Sequence, residues 1–317
     1  MPQPAIQDVH VDAALTQIST AYIQGDAKFI AAQVFPVVPV DKKSDKYHTF
    51  DKEDFLRDEA EERADSTESA GGGFRMSPDD YSARVYAFHK DVGDQLRANA
   101  DAAADPDESA TRFVTQKMLM KRETVWRDRY FVTGAWTNQS TPAVLWSVPA
   151  TSTPIEDITA QIEAIESRTG FRPNIIVAGA RTSRALKNHP DIVDRYKHTQ
   201  AGIVTTQLMA QLFEVEAYLE MRAVTNTATE GAASEIPDYI GGKHLLIAYR
   251  APNPGLFEPS AGYTFAWNGL LGSEAYGNRM SRFRMAHLKA DRVEGEMAFD
   301  VKKVADDLAH FFLSAVD

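Results

Sequence analysis

Between Asp41 and Glu68 the chain places eleven acidic residues (Asp41, Asp45, Asp51, Glu53, Asp54, Asp58, Glu59, Glu61, Glu62, Asp65, Glu68) and six basic ones, but only four large apolar side chains, Tyr47, Phe50, Phe55 and Leu56. A segment with that ratio cannot bury enough apolar surface to offset the entropy of ordering it. Gly71-Gly72-Gly73 follows, and then Tyr81 to Phe88, which reads as a strand. Two strands around a polar middle make a long hairpin, which is marginal in isolation. The segment is therefore either a solvated loop or a hairpin supported from outside itself. Deleting 42–80 should leave the rest of the chain folded.

The remainder has ample means to fold. Of 317 residues 44% are hydrophobic, enough to bury a sizeable core in about two domains. The formal charge is 34 − 45 = −11, which argues against specific binding to a phosphate backbone. There is no cysteine, so disulfides, thiolate catalysis and cysteine zinc sites are excluded. Met1 to Asp8 does not read as a secretory signal, and no apolar run has the length of a membrane helix. The chain is expected to be soluble and made in a cytosol.

Asp12 to Ile30, with Leu15, Ile18, Tyr22 and Ile23, reads as a helix. Val34-Phe35-Pro36-Val37-Val38-Pro39-Val40 must be extended because of its two prolines, either laid on its own domain or reaching onto a neighbouring subunit. Asp105-Pro106-Asp107-Glu108 supplies a cap, a first-turn proline and a capping-box glutamate. The helix it opens should run from Pro106 to about Val132, roughly 40 Å. Ala110, Phe113, Val114, Met118, Val125 and Tyr130 form its expected buried stripe. From 150 to 250, helices at 153–170, 181–188 and 205–213 alternate with strands at 173–178, 217–224 and 243–249, an α/β unit. The stretch 263–317 reads mainly as strand, with apolar Leu308 to Val316 packed back on the core. Regions 90–150 and 263–317 should share one domain, with the α/β unit inserted between them.

No catalytic constellation rises above background. Gly241-Gly242-Lys243 resembles the end of a phosphate loop, but Pro237 stands where its first glycine belongs and His244 replaces Ser or Thr. The eight histidines lack zinc spacing. His189, beside Pro190, reads as a helix-end residue. The acidic run lacks the alternating oxygens and turn glycine of a calcium loop. Arg279, Arg282 and Arg284 form a basic cluster that would contact DNA or, with more complementary charge available, pair with the acidic run of a neighbour.

Four segments taken in order resemble the tailed-phage major capsid proteins of the Hong Kong 97-type fold. Phe35-Pro36-Val37-Val38-Pro39-Val40 followed by Ser44-Asp45-Lys46-Tyr47 is similar to that family's arm entering its extended loop. Arg97-Ala98-Asn99-Ala100-Asp101, with Ala110-Thr111-Arg112-Phe113, resembles the entry to the spine helix. Arg172 to Val177, with Leu186 to Asp191, resembles the axial-domain strand and helix, and Pro259 to Trp267 the return to the peripheral domain.

The resemblance implies an α+β fold: an N-terminal arm (1–40), an extended β-hairpin loop (41–89), a peripheral domain with the long spine helix (90–150), an inserted α/β axial domain (151–260) and the peripheral return with the C-terminus (261–317). It implies a structural protein, not an enzyme, that assembles as hexamers and pentamers into an icosahedral head around double-stranded DNA. It implies no cofactor, metal or membrane. The implied partners are other copies of itself, a separate scaffolding protein, a portal and a decoration protein. The scaffolding protein is expected to be separate because the chain starts almost at the arm. The implied contacts between subunits are Phe35, Tyr47, Phe50, Asp51, Glu53, Asp54, Phe55, Leu56, Glu61 and Glu62 on the arm and loop, with Arg279, Arg282 and Arg284. Lys42, Lys43, Lys46 and Lys52 in the loop, with Asn268 and Asn278, are the residues from which a Lys–Asn crosslink between subunits would be drawn. Two alternatives stand beside this one, an encapsulin-like compartment enclosing an enzyme and a soluble α/β enzyme.

Overall fold

A computed structural model describes residues 24–99, 105–196, 204–229, 231–232, 234–255, 257–271 and 279–317. Most of the helix expected at Asp12 to Ile30 lies outside the described residues. Its described end carries a three-residue 3-10 helix at Asp26–Lys28 in place of an α-helix. The short helix α1 (Ala31–Val34) follows, and Pro36 then forces the extended strand β1 (Val37–Val40).

Strand β2 (Ser44–Phe50), the five-residue helix α2 (Lys52–Leu56) and strand β3 (Met76–Ser82) form the hairpin, paired antiparallel from Ser44↔Ser82 to Phe50↔Met76. Strand β4 (Arg84–Gly93) begins two residues after β3 ends. The single strand expected at Tyr81 to Phe88 is thus two strands, and the hairpin closes at Ser82 rather than at residue 89. Buried Ala83 marks the switch, donating its N–H to Lys43 O at the hairpin base. The short helix α3 (Asp94–Ala98) leads to the long helix α4 (Pro106–Tyr130). Asp105 caps α4 by accepting from Asp107 N, and the 25 residues span about 37 Å.

Next come β5 (Gln139–Ser140), α5 (Pro154–Thr169), β6 (Ile175–Gly179), α6 (Ala180–Lys187), α7 (Pro190–Tyr196), α8 (Thr206–Leu212), β7 (Ala217–Met221), β8 (Val224–Asn226), β9 (Pro237–Tyr239) and β10 (Leu245–Ala248). Gly170 ends α5 at φ 76°, as its position predicts. Pro190 stops α6 but occupies the first position of α7, a helix the sequence reading missed. The chain finishes with β11 (Gly262–Trp267), α9 (Asn268–Leu271), β12 (Arg279–Met285), β13 (Ala290–Lys303) and β14 (Ala309–Phe312).

One sheet runs β1-β11-β13-β12, with β4 also on β13. The other runs β5-β14-β10-β6-β7. The last strand therefore belongs to the α/β sheet, where β14 pairs antiparallel with β10 and parallel with β5. The expected split, with 263–317 wholly in the peripheral domain, is corrected here. The apolar run at Ala309 to Phe312 needs a sheet buried on both faces, and the α/β sheet supplies one. Its strands alternate between two cores: Ile175, Val177, Leu246, Ala248 and Phe311 face one, and Ile176, Ala178, Leu245, Ile247 and Phe312 the other. Helix α5 closes the second core with Ile155, Ile158, Ile162 and Ile165.

The first core joins everything. Phe29, Ile30, Val34 and Phe35 of the arm enter it with Trp126 of α4, Trp136, and Phe299 and Val301 of β13. The Phe35 ring lies 5.9 Å from Trp126, 5.3 Å from Tyr130 and 6.4 Å from Trp136. Residues 29–40 are thus laid into their own subunit, with β1 parallel to β11, and not onto a neighbour. In α4, Ala110 and Val114 are buried as expected, but Phe113 is 38% exposed and Trp126 takes the central place. Phe113 sits about 100° around the helix from Val114, which carries it off the packed stripe.

Glu123 of α4 is fully buried in this core. Its Oε2 accepts from Ile30 N at 3.0 Å and Ala31 N at 2.8 Å, fixing the entry of the arm. Among the described residues its Oε1 has no hydrogen-bond partner. Burial pushes this carboxyl up to about 7 from its ordinary 4.5, against the pull of the two N–H groups and Arg122. The folded chain then holds a proton that the unfolded chain releases. The contribution is full below about pH 4.5 and is lost as pH rises through about 7. Between pH 5 and pH 8.5 the wild-type chain should therefore lose on the order of 3 kcal/mol that Glu123→Gln retains, because the amide carbonyl accepts the same two N–H groups and never ionises. Denaturant titration at both pH values checks this, and an identical pH dependence of the two chains contradicts it.

Gly262 makes room for Phe35. A Cβ there would lie 2.4 Å from Phe35 Cε2 and 2.7 Å from Lys302 O. Gly262→Ala should cost about 2–3 kcal/mol, and Phe35→Leu in the same chain should be less damaging than alone, as a thermal-melt double-mutant cycle would show.

Candidate assembly interface

The loop carries its own small aromatic cluster, which its composition concealed. Phe50 lies 6.0 Å from Phe55, 5.8 Å from Phe74 and 5.2 Å from Phe257, and Phe55 lies 5.4 Å from Phe74. The cluster is not enclosed: Phe55 is 53%, Leu56 57%, Phe74 51%, Met76 53% and Phe257 64% exposed. Phe257 comes from the segment before β11 and has no signal in the sequence, where it stands between Leu256 and Glu258 with no pattern around it. Lys52 reaches Asp307 at 2.5 Å, so the hairpin leans on the subunit that carries it.

The hairpin base is secured differently. Tyr81 stacks on Phe265 at 4.6 Å, and Tyr47 approaches the same ring at 5.2 Å. The Tyr47 hydroxyl donates to Asp79 at 2.6 Å; burial and this carboxylate push the phenol up, and the same bond holds Asp79 low. Asp300, buried, accepts from Ser82 N and pairs with Arg129 of α4 at 2.6 Å, tying the base to the long helix. Farther out, Arg75 gathers Asp51 at 2.8 Å, Glu53 at 4.0 Å and Asp54 at 3.1 Å, its hydrogen bond holding the Asp54 carboxyl low. Asp51 also caps α2 by accepting from Glu53 N. Beyond this clasp Glu61 and Glu62 are exposed, and no ion pair to either is found among the described residues.

Two expected contacts move inward. Phe35 is enclosed by its own subunit and offers nothing to a neighbour. The basic cluster is committed to its own chain. Arg279 pairs with Glu296. Arg282 pairs with Asp107 at 3.0 Å and Asp291 at 2.9 Å, and Arg284 with both oxygens of Asp94 at 2.5 and 2.6 Å. Arg97 joins Asp107 and Asp291 to complete a network of three arginines and three aspartates at the first turn of α4. The hydrogen bond from Arg282 holds Asp291 low, and that from Arg284 holds Asp94 low. The register supplies the reason: β12 lies beside β13 with Arg284 opposite Asp291 and Arg279 opposite Glu296.

Among the described residues no group of three His, Asp or Glu side chains is placed to hold a metal, and no helix is long and apolar enough to cross a membrane. Gly241 serves close packing, since a Cβ there would lie 2.5 Å from Met221 Cβ, and Gly242 takes a left-handed turn at φ 56°. His189 is buried, with Nε2 2.9 Å from Ser152 Oγ and Nδ1 accepting from Asp191 N.

No protein-family model matches the chain. It is 30% identical to the major capsid protein of Burkholderia phage BcepMu over 272 residues, covering 82% of this chain and 84% of that one. It is 29% identical to the major capsid protein of Pseudomonas phage JBD67, covering 96% and 97%. Among solved structures, a phage-related protein from Bordetella bronchiseptica superposes with a TM-score of 0.70 at 22% identity, covering 92% and 94%. The mature capsid of bacteriophage PhiM1 gives 0.58 at 10% identity, covering 93% and 89%. An encapsulin from Synechococcus elongatus gives 0.52 at 12% identity, covering 96% and 95%, and so shares the fold alone. The α+β Hong Kong 97-type fold and the structural, non-enzymatic role expected from the sequence are both borne out. The chain belongs to the phage major capsid proteins, the subunits that assemble with copies of themselves into the shell of the virion.

Proposed function

We propose that this subunit builds, as hexamers and pentamers, the icosahedral head enclosing the double-stranded DNA of a tailed phage, and that the tip of its hairpin is a principal grip on a neighbour. The observation that carries the second part is the half-covered cluster of Phe55, Leu56, Phe74, Met76 and Phe257. An isolated subunit leaves these side chains in water, which a second protein surface would relieve. The acidic segment beyond Arg75, including Glu61 and Glu62, supplies the polar rim expected around such a patch. The reading places assembly in the host cytoplasm, with scaffolding, portal and decoration proteins as partner classes, on the strength of the family resemblance.

The contacts at the hairpin base favour a shorter deletion for preserving the fold. Tyr47 and Tyr81 pack on Phe265, so removal of 42–80 would strip Tyr47 from the subunit. Removal of 49–77 spares both residues and cuts where Thr49 faces Ser77 across the strands.

Two variants test the grip. Phe55→Ser with Phe74→Ser changes only exposed positions and should alter subunit stability by less than about 1 kcal/mol. The 49–77 deletion should also leave native circular dichroism in the remainder. Negative-stain microscopy should show closed shells for the wild-type chain and none for either variant. Shells of normal yield from both variants would contradict the assignment of the grip. Shells that co-purify with an enzyme and no nucleic acid would contradict the viral reading.

A further inference from the structure

Among the described residues, β2 and β3 pair only with each other and not with the adjoining layer of β4, β13 and β12. The hairpin is therefore free to tilt about its base, where Tyr47 and Tyr81 rest on Phe265. Beyond the base, three contacts bring it back onto its own subunit. Phe50 stacks on Phe257 at 5.2 Å. Leu56, at the end of α2, lies against the end of α5, its Cδ2 4.0 Å from the place a Cβ would take on Gly170. Lys52 Nζ meets Asp307 Oδ2 at 2.5 Å. The other ion pairs found for residues 41–82 stay within the hairpin, so among the described residues Lys52–Asp307 is the one that ties it to the rest of the chain.

Asp307 stands at a junction. It lies in the 3-10 turn Asp306–Leu308, where the chain leaves β13 of one sheet and enters β14 of the other. Its backbone carbonyl accepts from Arg168 Nη2 at 2.7 Å, from the end of α5. Its side chain meets Arg168 Nε and Asn138 Nδ2, each at 3.5 Å. The carboxylate is thus held in place by the α/β domain whether or not Lys52 is there. Lys52 and Asp307 are each about two-fifths exposed, so on separation both regain water and Asp307 keeps Arg168. No charge is stranded in the interior, and the pair opens at little cost.

We propose that the Lys52–Asp307 pair is an autoinhibitory clasp, which holds the hairpin against its own α/β domain in the unassembled subunit and opens when the tip engages a neighbouring copy. The proposal rests on the reading of the tip as the grip on a neighbour. In the clasped position Leu56 faces its own α5, and Phe50 is covered by its own Phe257. Contacts to the home subunit and contacts to a neighbour therefore compete for the same side of the tip. The clasp lowers the apparent affinity of the tip in proportion to the fraction of subunits in which it is closed. Because both partners are partly exposed, salt screens the clasp, and the brake on assembly is strongest at low ionic strength.

A carbodiimide joins an amine to a carboxylate in direct contact and adds no spacer, so it reads this pair directly. Unassembled subunits and closed shells of the same chain are each treated, and peptides linked through Lys52 and Asp307 are quantified by mass spectrometry. Mixing isotopically light and heavy chains separates links within one chain from links between copies. The expected result is a link within one chain in unassembled subunits that is roughly five-fold scarcer, or lower still, in shells. Linked chains should be depleted from shells grown from the treated subunits. In parallel, Lys52→Gln should form shells at a roughly two- to five-fold lower concentration than the wild-type chain, with the gap closing at high salt. Equal linkage within chains of subunits and shells would overturn the proposal. So would absence of the link in unassembled subunits, or an unchanged assembly threshold in Lys52→Gln. The grip reading fails on a different observation, normal shells from the chain carrying Phe55→Ser and Phe74→Ser, whatever the cross-link shows.

Discussion

The packing of Phe35 between Trp126, Tyr130 and Trp136 fixes the relation of segments far apart in the chain, and the remaining architecture hangs from it. The arm can enter only because Gly262 has no side chain and because Glu123 satisfies the two backbone N–H groups that arrive with it. A buried backbone donor without a partner costs about 1–3 kcal/mol, so a side-chain acceptor at position 123 is needed wherever the arm is to be enclosed. The same side chain brings a cost of its own, a desolvated carboxyl with one unpartnered oxygen. The core is thus strongest with that group neutral. The α/β sheet meets the arm, α4 and β13 through this one core, and its other face is closed separately by α5, α6, α7 and α8.

With the arm anchored inside, what remains outward is the hairpin. Its base is fixed by apolar stacking on Phe265 and by Asp300, which links Ser82 to Arg129. Beyond the Lys52–Asp307 contact, its outer half is held among the described residues by ion pairs around Arg75 and a half-covered aromatic cluster. Exposed pairs contribute little, about 0–1 kcal/mol each. Stability therefore falls off from base to tip, where the apolar cluster stays half-covered. The arginine–aspartate network at the first turn of α4 does the reverse at the far end of the layer, holding β12, α3 and the helix start together within one subunit.

Much of this was legible in the sequence where local chemistry decides structure. Asp105-Pro106 marks the start of α4, Gly170 the end of α5, and the apolar runs at 175–178 and 245–248 the doubly buried strands. What escaped depends on partners distant in sequence. The β3/β4 split at Ala83 follows from the competition of two different partner strands for one apolar stretch, which no local pattern reveals. The apolar run from Leu308 to Val316 marks a buried segment but not its sheet, because sheet membership is set by pairing with β10. Arg279, Arg282 and Arg284 read as a free basic cluster only because their carboxylates come from residues 94, 107, 291 and 296. Glu123 did leave a trace: Leu119, Glu123, Trp126 and Tyr130 share helical spacing, and a lone carboxyl on an otherwise apolar line points to a buried acceptor.

On the proposed reading, a subunit anchored this way is completed by copies of itself at the hairpin tip. An electron cryomicroscopy reconstruction of particles assembled from this chain tests that claim most directly. The expected result is a closed shell in which Phe55, Leu56 and Phe74 are covered by an adjacent subunit while Phe35 stays inside its own. A shell in which those tip side chains face solvent, or a chain that remains monomeric at every concentration, would contradict it.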